Sequence, residues 1–361
     1  RRGEQAGAMG CGSSRQRLVM SGAHQGSCSI MAENGQLYSC EFAGRTLAKR
    51  GKNQDRFGLR YVGGALTAGI FDGHSVHDAS SGIRHAEGAC LHLTHRLYPQ
   101  CTAALHTTKE QEVGTELSGK VVACFQSYQQ QAKAHYEEVV VKALLEKKAE
   151  LEKELGEEIQ MELPQEGGTT ATVAVVHPNG VMTAWVGDSR AVAGVQQEGG
   201  GWRAEALSVD HSINDPAERA RVLAAGGQTA AKAGTHGKLS EMICVPRAEG
   251  SLKVTRSLGD VPHHANDAVS HVPSIAHRPL DPRLRFLVIC SDGVWDELDD
   301  ATAVQLVGDQ LGEAAGRPTR GNAAASACDA LVEAVKAKSD QTLTPTPTLA
   351  LALALTPTPT P

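Results

Sequence analysis

Three apolar runs in this chain stop in the same way. Ala65–Phe71 leads into Asp72-Gly73-His74, Val181–Val186 into Gly187-Asp188-Ser189-Arg190, and Arg285–Cys290 into Ser291-Asp292-Gly293-Val294-Trp295-Asp296. A short continuous apolar run bounded by a turn signal reads as a buried strand. A carboxylate just past such a strand, beside a glycine that admits close backbone approach, is how a rigid sheet gathers acids at one rim. One Asp-Gly pair is usually a turn, but three at strand ends point to a site. A fourth acid, Asp55, stands in Arg50-Gly51-Lys52-Asn53-Gln54-Asp55. Carboxylates that converge without His or Cys favour hard divalent cations held by oxygen, Mg2+ or Mn2+, over zinc.

Further apolar runs at 170–176 and 191–195 add strands, and the HPNG gap at 177–180 reads as a hairpin loop. Within 133–162, Val141, Leu144, Leu151, Leu155 and Ile159 recur at helical spacing among Glu and Lys, which predicts an amphipathic helix with a solvated charged face. Another helix is predicted to start at Asp215 as N-cap, with Pro216 at the first position and Glu218 closing a capping box, and to stop at Gly226-Gly227. A third follows Asp299-Asp300 and carries Val304, Leu306 and Val307 inward. His92 and His95, three apart, read as a helix face rather than a metal pair. The elements cluster instead of alternating strand with helix, so antiparallel sheet with helices outside is expected.

The formal charge of −6 lacks the strongly basic field of a dedicated nucleic-acid binder, so no nucleic-acid partner is expected. The nine cysteines are scattered and form no C-x-x-C pair, which argues against a disulfide framework or a zinc ribbon and for a reducing compartment. Residues 1–40, rich in Gly, Ser and Gln, read as a flexible leader, and 41–340 as the folded domain. Residues 341–361 combine Thr-Pro repeats with a Leu-Ala block of seven residues. Proline lacks the N–H of a central strand, so this tail reads as extended and unpaired.

Seven motifs occur in one order between about residue 50 and about residue 308: N-Q-D, F-D-G-H, G-T-T-A-T, V-G-D-S-R-A-V, L-S-V-D-H-S-I-N-D-P-A-E-R-A-R-V-L-A-A-G-G, L-K-V-T-R-S-L-G-D and S-D-G-V-W-D. Singly each is weak; together, in this order, they resemble the metal-dependent protein phosphatases of the PPM, or protein phosphatase 2C, family. The resemblance implies an α+β fold, a β-sandwich of two antiparallel sheets flanked by helices in four αββα layers. It implies hydrolysis of phosphoserine and phosphothreonine in proteins by a hydroxide bridging two Mg2+ or Mn2+ ions, with room for a third ion. By resemblance, Asp72 bridges both ions, the Gly73 carbonyl binds one and Asp292 the other, while Asp55 orients the water. Arg50 clamps the phosphate, since its planar fork matches two oxygens. His74 protonates the leaving alkoxide. Asp188 and Asp296 hold the third ion, with Thr170 nearby.

Two features depart from the family pattern. Gln54 stands where a Glu is common. The family's closing strand, preceded by S-x-D-N-x-T, has only the echo Ser339-Asp340-Gln341-Thr342, so the final strand is expected to be missing and Asp340 to be a loosely held ligand. That loss favours, as one alternative, a catalytically impaired pseudophosphatase that binds phosphoproteins or partners; a second alternative, a hydrolase of small phosphate esters, stands because the sequence does not separate protein from small-molecule substrates. A monomer acting on phosphorylated proteins in the cytoplasm is the simplest expectation, with the nucleus open. Met9-Gly10-Cys11-Gly12-Ser13-Ser14 fits the N-myristoylation pattern if translation starts at Met9. Gly10 and Cys11 would then anchor the chain peripherally on the cytoplasmic face of a membrane.

Overall fold

Burial on both faces of the apolar runs sets the architecture. The computed structural model describes residues 23–47, 53–75, 79–108, 113–161, 166–233, 239–245, 248, 250–315, 322–342 and 348–358. The chain opens with β1 (His24–Met31), β2 (Leu37–Leu47), β3 (Arg56–Val62), β4 (Ala65–Phe71), the two-residue β5 (Gly73–His74), α1 (Ala79–Thr107) and α2 (Thr115–His135). A π-helical turn at Tyr136–Val141 joins α2 to α3 (Lys142–Leu155). Next come β6 (Gly168–Thr169), β7 (Ala171–His177), β8 (Gly180–Val186), β9 (Arg190–Gln196), β10 (Trp202–Ala206), α4 (Pro216–Ala224), β11 (Gln228–Ala233), β12 (Leu239–Cys244) and β13 (Leu258–Gly259). After a 3-10 turn at Val261–His264 come β14 (Ser274–Pro279), β15 (Leu284–Cys290), α5 (Asp292–Trp295), α6 (Asp300–Ala315), α7 (Ala323–Thr342) and β16 (Thr348–Pro357).

Two antiparallel sheets stack face to face, one ordered β1-β2-β16-β15-β9-β10 and the other β14-β8-β7-β4-β3. Between them Leu66, Ile70 and Val176 of one sheet pack with Ala193, Leu287 and Ile289 of the other. The outer face of the five-stranded sheet, with Phe71, Val173 and Val175, lies under Leu93 and Leu97 of α1 and Phe125 of α2. Val192, Phe286 and Val288 on the other outer face lie under Val304 and Val307 of α6 and Leu331 and Val335 of α7. The result is four layers, helix, sheet, sheet, helix, as the family resemblance implies. A small satellite core around Ile213, Val222, Ile243, Leu252 and Val269 supports α4 and the β11–β12 hairpin.

The final strand is present, which corrects the expectation of an unpaired tail. Strand β16 runs antiparallel to β2 on one side and to β15 on the other, in the middle of the larger sheet. Strict alternation is what the Leu-Ala block encodes: Leu349, Leu351, Leu353 and Leu355 enter the core between the sheets, and Ala350, Ala352 and Ala354 face the helices. Leucine fills the wide inter-sheet space while alanine lets α7 approach closely. The Thr-Pro repeats do not interrupt the ladder, because Pro345 and Pro347 precede β16 and Pro357 is its last residue. Asp340 therefore lies in α7 instead of on a loop before the strand, and its side chain is outside what is described.

The folded region also starts earlier than residue 41, since β1 and β2 pair from His24 to Gly44. At α4, Asp215 accepts from the N–H groups of Ala217 and Glu218 as predicted, but Glu218 does not close a capping box. Its carboxylate instead accepts from Arg221, Thr255 and Arg256. Helix α3 ends at a left-handed Gly156, short of residue 162, and buries none of its residues, so its Glu and Lys side chains are solvated on every face. Among the described residues, no helix is long and apolar enough to cross a membrane.

At the end of β7 the buried His177 and His277 face each other, Nε2 to Nε2, at 3.2 Å. Burial first, and then the neighbouring His277 and His106, push His177 down to about 3. One proton fits between the two rings and a second does not. A histidine depressed in the folded state contributes stability that is full above the unfolded value and lost as pH falls from about 6.5 towards about 3. Between pH 7 and pH 5 wild-type protein is expected to lose about 2 kcal/mol more unfolding free energy than His177→Gln, at about 1.4 kcal/mol per pH unit. Urea titrations of both proteins at the two pH values check this.

Candidate active site

Asp72 sits in the single residue between β4 and β5, and its backbone is fixed from the neighbouring strand pair. Its N–H donates to Thr170 Oγ1 at 3.2 Å, and its carbonyl accepts from Thr170 N–H at 2.9 Å and Thr169 Oγ1 at 3.1 Å. Only glycine fits next, because a Cβ at Gly73 would stand 2.5 Å from the Gly82 carbonyl oxygen and 2.8 Å from that of Gln54. Asp55 enters from the start of β3, with its own N–H on Asn53 Oδ1 and its carbonyl accepting from Arg56. The Asp55 and Asp72 carboxyls adjoin and shift each other's titration. Burial raises Asp55 to about 6, with the Asp292 charge adding and the neighbouring Asp72 and Arg56 opposing. Asp72 is pushed well above the usual carboxylate range by burial, and then by the charges of Asp55, Asp292 and Asp188.

Asp188 follows β8 through Gly187, whose φ of 98° and contact with Thr170 Cγ2 leave no room for a side chain. Thr170 Oγ1 also bonds Ser189 Oγ at 2.7 Å, so one threonine ties the Asp72 corner to the Asp188 corner. Burial, then the Asp292 charge, raises Asp188 to about 6, and Lys253 pulls the other way. Asp292 opens α5 directly after β15. The preceding Ser291 is clamped by β16, its N–H donating to the Leu349 carbonyl and its Oγ accepting from Leu349 N–H, each at 3.1 Å. The closing strand thus positions this corner through its backbone.

Lys253 reaches into the acids from the other side. Its Nζ lies 2.7 Å from Asp292, 3.2 Å from Asp188 and 3.7 Å from Asp296. Burial opposes its charge, but Asp188 and Asp292 outweigh that and hold it firmly protonated. Leu252, in the satellite core, and Val254 on the other side are both buried, so alternation turns Lys253 outward to the acids. Arg190 pairs with Asp210 and Asp300 and leaves Asp188 to Lys253.

His74 keeps 29% of its side chain exposed and places Nε2 2.7 Å from Oδ2 of the buried Asp260. Asp260 also accepts from Ser257 Oγ at 2.6 Å. Burial would raise Asp260, but His74 and Ser257 overcome it and hold the carboxyl at about 2. Burial likewise opposes charge on His74, and Asp260 more than compensates, so the imidazole titrates above its ordinary value. Segment 253–260 is anchored on Glu218, which accepts from Arg256 and, at 2.5 Å, from Thr255.

Residues 71–341, about three quarters of the chain, match the family model described as protein phosphatase 2C. The chain belongs to the protein phosphatase 2C family. Protein phosphatase ppm-1.G of Caenorhabditis elegans is 32% identical over 182 residues, covering 48% of this chain and 32% of that protein. Probable protein phosphatase 2C 44 of Oryza sativa subsp. japonica is 35% identical over 141 residues, 39% of each chain. The matched regions thus span about a third to two fifths of these curated relatives. A crystal structure of serine-threonine phosphatase 2C from Toxoplasma gondii superposes with a TM-score of 0.66 at 20% identity, over 93% of this chain and 99% of that one. A C. elegans sex determining protein follows at 0.58 and 20% identity, covering 87% and 64%. At these identities the structural likeness establishes the fold.

In this protein phosphatase 2C family member the structure gathers Asp55, Asp72, Asp188 and Asp292 into one electrostatic field, with Gly73 and His74 beside Asp72 and Asp296 at the rim. Arg50, Gly10 and Cys11 lie outside the described residues. Two residues with no role in the sequence reading join the site, Lys253 and Asp260. Both stand in the L-K-V-T-R-S-L-G-D motif, and their place in that family-like stretch was the available signal. Among the described residues no three His, Cys, Asp or Glu side chains form a ready cage around one point. The donor chemistry fits hard divalent cations: every donor is oxygen, Asp55, Asp72 and Asp188 are buried and raised first by that burial and then by neighbouring carboxylates, and Gln54, next to Asp55, keeps a buried Oε1 without a hydrogen-bond partner.

Proposed function

We propose that this chain hydrolyses phosphoserine and phosphothreonine in proteins with the help of two divalent metal ions. The observation that carries the reading is the convergence of Asp55, Asp72, Asp188 and Asp292, each repelling the next, beside an imidazole clamped by a buried carboxylate. Family membership supports a metal-dependent phosphatase and phosphoprotein substrates. Asp72, the Gly73 carbonyl and Asp292 would hold Mg2+ or Mn2+, which when bound supply a water of lowered pKa and neutralise phosphate oxygens. Asp55 orients the attacking water from the Asp72 side, and His74, held by Asp260, protonates the leaving alkoxide. Thr169, Thr170 and Ser291 keep the carboxylate corners rigid. The case for an impaired pseudophosphatase rested on a lost closing strand, and β16 is in place.

The proton role of His74 gives the test. His74→Ala is expected to lower turnover of a phosphothreonine peptide ~10²–10⁴-fold, the usual cost of losing a general acid. An aryl phosphate with a good leaving group needs little protonation and is expected to lose far less. Asp260→Asn should show the same leaving-group pattern at smaller size. Equal losses on both substrates would remove His74 from this role, and absence of phosphopeptide turnover by the metal-supplied wild type would remove the function.

A further inference from the structure

By family resemblance, Asp188 and Asp296 belong to a third metal ion. In this chain the place between them and Asp292 is reached by an ammonium group carried by the protein itself. Its reach is built into the fold. Leu252 bridges to Ile243 and Val254 to Ser212, so the backbone on either side of Lys253 is paired. The residues just beyond it, Thr255 and Arg256, are bonded to the buried Glu218. A lysine fixed in this way, with carboxylate oxygens of two acids within 3.2 Å, is a permanent counter-charge.

We infer that the Lys253 ammonium takes the place of the third metal ion, so that this centre holds two divalent cations where three could otherwise sit. The inference rests on the two-ion reading above. An ammonium at 2.7 Å from Asp292 and 3.2 Å from Asp188 supplies hydrogen bonds and positive charge to the oxygens that a third ion would need. Of the residues placed in the two-ion site, Lys253 touches Asp292 and, among the described contacts, has no hydrogen bond or ion pair to Asp72 or Gly73. A single positive charge that cannot dissociate would make the occupancy of this position independent of metal concentration.

Counting Mn2+ bound to metal-stripped full-length protein, from the free-ion electron paramagnetic resonance signal, decides the matter. Wild-type protein and Lys253→Arg are expected to saturate at two ions, and Lys253→Met and Lys253→Gln at three. Without metal the two neutral variants should melt below wild type, because Asp188 and Asp292 lose their counter-charge, and Mn2+ should raise their melting temperature more than it raises that of wild type. A third ion on wild-type protein, or a count of two in both neutral variants, would overturn the inference. Wild-type protein that binds no Mn2+ sinks the two-ion reading and this inference with it, whereas a wrong change on substitution sinks this inference alone.

Discussion

Asp72→Asn is expected to lower phosphate release from a phosphothreonine peptide by more than ~10³-fold, the upper range for removing one preorganised electrostatic group. The same substitution should leave the metal-free protein as stable as wild type or more so. These two effects have one cause. Ionised Asp72 is buried against the charges of Asp55, Asp292 and Asp188, and its carboxyl titrates far above the ordinary range. A raised carboxyl favours the folded state while protonated, below the unfolded value, and loses that favour as pH rises through the folded one. At neutral pH the acids are therefore held together against their repulsion, as expected where a cation is to be bound. The amide of Asn keeps the shape and removes the charge, and the backbone bonds to Thr169 and Thr170 are untouched. Loss of activity accompanied by unfolding would instead make Asp72 a structural residue. Thermal melts in chelator, run beside the turnover assay, separate the two.

Deleting residues 348–361 is expected to abolish cooperative folding. Strand β16 is central, so its loss leaves unpaired edges on β2 and β15 and removes four leucines from the core between the sheets. Truncating one such side chain costs ~2–5 kcal/mol, and an entire domain is stable by only ~5–15 kcal/mol. Single substitutions calibrate the claim. Leu351→Ala should cost ~2–5 kcal/mol through the cavity it opens. Ala352→Leu, on the face under α7, should cost ~1–3 kcal/mol by overpacking. The deletion also removes both bonds that hold Ser291, so any folded remnant should have a loosened Asp292 corner. A truncated protein that melts like wild type would show that the strand is dispensable.

Much of this was readable in the amino-acid order, and the failures have physical reasons. Strands β4, β7, β8, β9 and β15 announce themselves because both faces are covered, one by the opposite sheet and one by helices, so their sequences are continuously apolar. Strand β16 is buried just as fully, but its alternation of large and small apolar residues lies between Thr-Pro repeats whose local preference points the other way. The geometry of the two unequal layers decides it. Strand β1, an edge strand with every second residue exposed, carries little apolar signal. In the site, Asp72, Asp188 and Asp292 were legible because each ends a buried strand. Asp260 and Lys253 were not, because their roles arise from a loop brought across the chain to His74 and to the acids, an approach no local pattern records. Glu218 matched a capping-box spacing, yet three stronger donors hold its carboxylate.

The central claim is that the converging carboxylates are a metal-dependent phosphatase centre. Its most direct test is phosphate release from a phosphothreonine peptide by metal-stripped protein, before and after addition of Mn2+ or Mg2+, with Asp72→Asn alongside. The account predicts no release without metal, recovery on addition to wild type, and none by Asp72→Asn at any metal concentration. Release that persists in the stripped protein and in Asp72→Asn would contradict it.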